Sequence, residues 1–109
     1  MAQILIVEDV REPAEEMRSA MGTGHDISFA ARSTEAAQRL QATPVDLVVT
    51  ALVLETGDYR DGQRVVEAAH DSPHPVPVIV VASYSTPEVC VRAIRAGAFD
   101  YIERNSPGI

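Results

Sequence analysis

A doubly wound α/β domain, built on one five-stranded parallel sheet with helices on both faces, is the fold that this sequence predicts. Five apolar runs of strand length alternate with four amphipathic helical patterns. Runs such as Ile4-Leu5-Ile6-Val7, Leu47-Val48-Val49 and Val78-Ile79-Val80-Val81 are apolar throughout, as strands covered on both faces must be. With 109 residues and 46% hydrophobic content the chain has room for one core, so residues 1–109 are expected to form one domain.

The first strand is expected over 3–7 and the first helix over 11–21, where Pro13 suits a first turn and Ala14, Met17, Ala20 and Met21 recur at helical spacing. Gly22-Thr23-Gly24 breaks that helix before a short strand over 27–31. Ser33 is placed to cap a second helix that carries Ala36, Ala37 and Leu40 to about Ala42. The third strand is expected over 46–50, a polar loop with Gly57 over 55–61, and a third helix over 62–70 with Val65, Val66 and Ala69 inward. Pro73, Pro75 and Pro77 exclude helix and deliver the chain to a fourth strand over 78–81.

Thr86-Pro87-Glu88 reads as a helix start, with Thr86 as cap, and Gly97 as its C-terminal stop; Val89, Ala93, Ile94 and Ala96 form the apolar side. The fifth strand is expected over 99–103, and 104–109 carries no helical signal. A sheet of this kind ordinarily has a helix after its last strand. The expectation is therefore a longer protein of which this chain is the N-terminal part, or a partner, a second copy among them, covering that face.

Composition excludes several classes. Sixteen acids against nine bases give a net charge of −7, which argues against direct nucleic-acid binding by this chain. No window approaches a membrane span, and no basic-then-apolar leader is present, so a soluble, cytoplasmic protein is expected. All nine bases are arginine, which closes any mechanism that needs a lysine. Cys90, the lone cysteine, reads as a small half-buried helix residue. His25, His70 and His74 have no ligand spacing. No phosphate-binding glycine loop or nucleophile elbow occurs.

Parallel strands whose C-terminal ends meet would gather Glu8, Asp9 and Ala51 around one crevice, where open α/β sheets bind ligands. Four segments then resemble, in order and over essentially the whole chain, the receiver domain of two-component response regulators. They are Ile4-Leu5-Ile6-Val7-Glu8-Asp9, Asp46-Leu47-Val48-Val49-Thr50-Ala51-Leu52, Pro77-Val78-Ile79-Val80-Val81 and Gly97-Ala98-Phe99-Asp100-Tyr101-Ile102. The run Gly97-Ala98-Phe99-Asp100-Tyr101 is the most diagnostic. The resemblance implies a flavodoxin-like (βα)5 topology, here without its last helix, and a place in phosphorelay signal transduction.

In that family an aspartate at the end of the third strand accepts a phosphoryl group, with Mg²⁺ held by the acidic pair. That position is Ala51, whose methyl group can neither attack phosphorus nor ligate a metal. The resemblance puts Ala82 where a hydroxyl residue would bind the phosphoryl group, with Ser83 beside it, and Arg104-Asn105 where lysine and proline are usual. Arginine keeps the charge but not the compactness of lysine. Glu8 and Asp9 are then expected to bind Mg²⁺ weakly or not at all, and to pair with Arg104. No other cofactor is implied.

The loop before Gly62 is longer than usual for that family and begins with Glu55 where proline is common; Glu55, Asp58 and Asp61 make an acidic loop able to supply a displaced phosphoacceptor or metal ligand, though such a run is more often merely solvated. Tyr101 matches the family's inward-turning aromatic, and with Val91, Arg92, Arg95 and Glu103 it marks an interaction face. Three functional readings follow. The first is an atypical receiver that binds a protein partner or its own output domain without phosphorylation, and is no enzyme. The second is an ordinary phosphoaccepting receiver carrying an Asp-to-Ala substitution at position 51, and the third is small-ligand binding in the vacant crevice.

Overall fold

The structure is a computed structural model that describes residues 2–83 and 86–104. Its elements are β1 (Gln3–Val7), α1 (Arg11–Ala20), β2 (Asp26–Ala30), α2 (Ser33–Ala42), β3 (Leu47–Ala51), α3 (Arg60–His70), β4 (Val78–Ala82), α4 (Pro87–Ala96) and β5 (Asp100–Glu103). The strands form one parallel sheet in the order β2-β1-β3-β4-β5. The predicted α/β class and strand number therefore hold.

Leu5, Ile6, Val7, Val48 and Val80 are wholly buried in the central strands. Against them pack Met17 of α1, Ala36 and Leu40 of α2, Val65, Val66 and Ala69 of α3 and Ala93 of α4. Burial of each larger aliphatic side chain contributes about 2 kcal/mol, and this layer is what offsets chain entropy. Ala20 and Ile94, expected to face inward, are exposed instead, Ile94 at 47%. Each lies at the edge of its helix's apolar stripe, where small shifts in helix rotation decide burial.

The register aligns the C-terminal ends of the central strands along one edge of the sheet. Val7 pairs with Thr50, Ala51 with Val81 and Ala82 with Glu103. Thr86 caps α4 as expected, accepting the Val89 amide at 3.3 Å, and Gly97 closes it with φ 115°. Ser33 does not cap α2. It is the first residue of that helix, Arg32 is the cap position, and the side chain that meets the free helix end comes from Glu55. Helix α3 begins two residues earlier than its apolar pattern suggests, at Arg60, and so includes Asp61. Gly62 is required there: a Cβ would lie 2.8 Å from the Ala51 carbonyl oxygen and from Leu52 backbone atoms.

Candidate functional site

The sheet edge builds the crevice from four strand ends, those of β1, β3, β4 and β5. Beyond β1, the Glu8 amide donates to the Ala30 carbonyl at 2.9 Å, which continues the strand pairing by one residue and fixes Glu8 half-buried at the rim. Its Oε2 accepts the Asp9 amide at 2.9 Å. Burial pushes the Glu8 carboxyl up to about 7, and the adjoining Asp9 carboxylate adds to the rise against the pull of the Asp9 and Val10 amides. Asp9 itself is exposed and lies outside the crevice lining.

Ala51 ends β3 and is 7% exposed, with its methyl group in the crevice wall. The β3–β4 pairing extends through the Leu52 amide, which donates to the Val81 carbonyl at 3.1 Å. Ala82 is buried in a regular strand end, and the Arg104 amide donates to its carbonyl at 2.8 Å. Ser83, at the bend that follows, lines the crevice. Together Glu8, Ala51, Ser83 and Arg104 surround a cavity of about 290 Å³ whose remaining walls are Met17, Leu52, Val53 and Val81.

The Arg104 guanidinium pairs with Glu16 of α1, not with Glu8 or Asp9. The expected partner is thus corrected: Glu16 extends from the exposed side of α1 and meets the arginine, whereas Glu8 is partly withdrawn from water and favours its neutral form. Mg²⁺ asks for near-octahedral oxygen ligation. One exposed acid, one half-buried acid that resists ionisation and a methyl group do not fit that demand. Among the described residues no three His, Cys, Asp or Glu side chains converge to hold a metal ion.

In the loop from β3 to α3 Glu55 is exposed and Asp58 half-buried, but Asp61 is not the solvated acid that the loop's composition suggests. Asp61 is fully buried; it accepts the Leu54 amide at 2.9 Å, the Thr56 amide at 3.1 Å and the Thr56 hydroxyl at 2.5 Å, and pairs with Arg64 at 2.9 Å. Burial opposes its charge, but these donors outweigh burial and hold the carboxyl below its usual range. Glu55 accepts the Ser33 amide at 2.9 Å and its hydroxyl at 2.5 Å, capping α2 from across the molecule. Desolvation again opposes ionisation, and the Ser33 hydrogen bonds reverse it, lowering Glu55 as well. The sequence reading took Asp61 and Glu55 for solvated loop acids and did not single out Glu16. Only the acid in the first turn of α3 carried a signal, as a residue suited to a helix start.

On α4, Val91, Arg92 and Arg95 line a groove of about 730 Å³ with Gln63 and Glu67 of α3. Arg92 pairs with Glu88 at 3.5 Å and lies 5.9 Å from the Tyr59 ring. Tyr101 and Glu103 lie on β5, half-buried, and are not part of that groove; Tyr101 packs against the core. Cys90 is half-buried in α4. No helix among the described residues is long and apolar enough to cross a membrane.

The response regulator receiver domain family matches residues 4–107. A putative response regulator NtrX-like of Rickettsia bellii is 32% identical over 95% of this chain and 22% of that protein. The response regulator protein PilR of Pseudomonas aeruginosa is 28% identical over 92% of this chain and 22% of its own length. The chain thus spans about a fifth of these relatives. Among solved structures, a CheY-like response regulator receiver domain protein from Methanospirillum hungatei superposes with TM-score 0.83 at 23% identity, covering 97% of this chain and 83% of that one. A Burkholderia pseudomallei response regulator with a phosphorylated aspartic acid superposes at 0.82 and 19% identity, over 97% of this chain and 61% of its own.

Proposed function

This chain belongs to the response regulator receiver domain family, a family of two-component signalling modules, and from that premise we propose that it signals without aspartyl phosphorylation. The carrying observation is the Ala51 methyl group at the end of β3, where the phosphoacceptor carboxylate belongs. A carbon without a lone pair forms no acyl phosphate. Two further features support the reading. Ala82 offers no hydroxyl to a phosphoryl oxygen, and Arg104 is engaged by Glu16. Glu8 and Asp9 then have no phosphoryl transfer to assist, and Mg²⁺ binding is weak or lost.

The work of the domain is binding. Its partner is another protein, a second copy, or an output domain of the same polypeptide, joined to this domain as the N-terminal part of a longer regulator. The proposed interaction face comprises Val91, Arg92 and Arg95 on α4 with Tyr101 and Glu103 on β5, where Val91 is 46% exposed. Intact-mass spectrometry after incubation with a small acyl-phosphate donor and Mg²⁺ tests the proposal. The unaltered chain should gain no phosphoryl group at any residue; a stoichiometric, Mg²⁺-dependent adduct would overturn the reading.

A further inference from the structure

Strand β2 forms one edge of the sheet and is paired on one side only. Its backbone groups alternate in direction. The Asp26 amide donates to the Ala2 carbonyl and the Ala30 carbonyl accepts the Glu8 amide, so Asp26, Ser28 and Ala30 turn toward β1, and Ile27 and Phe29 turn their N–H and C=O groups outward. Among the described residues no bond outside the sheet engages those outward groups. The devices that blunt an exposed edge are missing here: β2 holds no proline, no charge lies between Asp26 at its start and Arg32 beyond its end, and Phe29 is 38% exposed. The other edge strand, β5, begins and ends on acids, Asp100 and Glu103.

A second copy of the chain fits this edge by symmetry. With a two-fold axis at Ser28, antiparallel pairing sets Ile27 opposite Phe29 of the second copy, and the outward N–H and C=O groups of both residues find partners. Each such pair joins an aromatic to a β-branched side chain, a favourable cross-strand contact. The Ala31 amide is already held by Glu35, which ends the ladder there. The two ends of the strand also differ in charge. Asp26 opens it, bonded to Gln3, whose own amide is bonded to Asp46; at the far end Arg32 is exposed and, among the described residues, in no ion pair. Around Arg32, Glu35 is set against Arg39, and exposed Asp9 against exposed Arg11. The antiparallel approach brings each Arg32 to the Asp26 end of the other copy.

We infer that two copies of this chain pair through β2, joining their five-stranded sheets into one continuous sheet. The contact lies on the opposite edge from the α4–β5 face and goes beyond the proposed function. It is small, so association is weak, with a dissociation constant of about 0.1–1 mM.

Sedimentation equilibrium of the chain, with ¹⁵N–¹H spectra recorded on dilution from about 1 mM, is the test. The amides of Ile27, Ser28 and Phe29 should shift as the dimer dissociates. Ser28→Glu and Ser28→Arg each set like charges against one another on the axis, and both should weaken association by about fivefold or more; a contact without two-fold symmetry would not respond alike to either sign. Asp26→Arg and Arg32→Asp should each weaken it, and the double swap should restore it. A chain that stays monomeric at about 1 mM, dilution shifts confined to α4 and β5, full association of both Ser28 variants, or a double swap no better than its parents would overturn the inference. Phosphoryl uptake by the chain bears on the proposed function alone.

Discussion

Glu8 stands one residue beyond β1, close enough to the core to lose part of its hydration and close enough to Asp9 to feel its charge. Its carboxyl is raised from 4.5 to about 7. A folded value above the unfolded one means that its contribution to stability is complete below about pH 4.5 and is lost as pH rises through about 7. Because the group is partly solvated, the effect is about 1 kcal/mol and not the full value of the shift. Thermal unfolding of the unaltered chain should therefore weaken between pH 5 and 8 relative to Glu8→Gln, by roughly 5 °C. Parallel melting curves for the two proteins across that range would contradict the placement of Glu8. At Ala51 the reasoning is simpler: a methyl group leaves the end of β3 with no nucleophile, and among the described residues Glu8 and Asp9 have no third carboxylate beside them.

At the scale of elements, the β3–α3 connection does unexpected structural work. Asp61 gathers Leu54, Thr56 and Arg64, and Glu55 ties the same loop to the start of α2. Removing the Asp61 charge leaves buried amide donors and the Thr56 hydroxyl short of an acceptor. Asp61→Asn should lower unfolding free energy by about 2–3 kcal/mol in urea titrations. A loss under about 0.5 kcal/mol would mean that the loop holds without it. The Asp61 carboxyl is depressed, so its stabilisation is present above its unfolded value of 3.8 and fades as pH falls through the folded one.

These links explain what could and could not be read in advance. Strands announce themselves as apolar runs, and Thr86-Pro87 and Gly97 mark both ends of α4 through local backbone chemistry. The contacts of Glu55 with Ser33 span 22 residues and those of Arg104 with Glu16 span 88, and no local pattern encodes them. Asp61 looked solvated because acids in loops usually are; its burial follows from the tight approach of Gly62 to Ala51 and Leu52, which only the folded chain displays.

For the whole molecule, the order β2-β1-β3-β4-β5 places the ends of β1, β3, β4 and β5 side by side, and that topology alone assembles Glu8, Ala51, Ser83 and Arg104. The fold and the family were legible from the strand pattern and the terminal motifs. The proposed loss of phosphoryl chemistry belongs to the whole site and not merely to one side chain. Intact-mass spectrometry of Ala51→Asp, incubated with an acyl-phosphate donor and Mg²⁺, tests it most directly. No phosphoryl adduct is expected on Ala51→Asp, because Ala82 and the engaged Arg104 leave the transferring oxygens without the hydroxyl and the free cation that the family supplies. Ready, Mg²⁺-dependent phosphorylation of Asp at position 51 would contradict it and mark the chain as an ordinary receiver with a substituted acceptor.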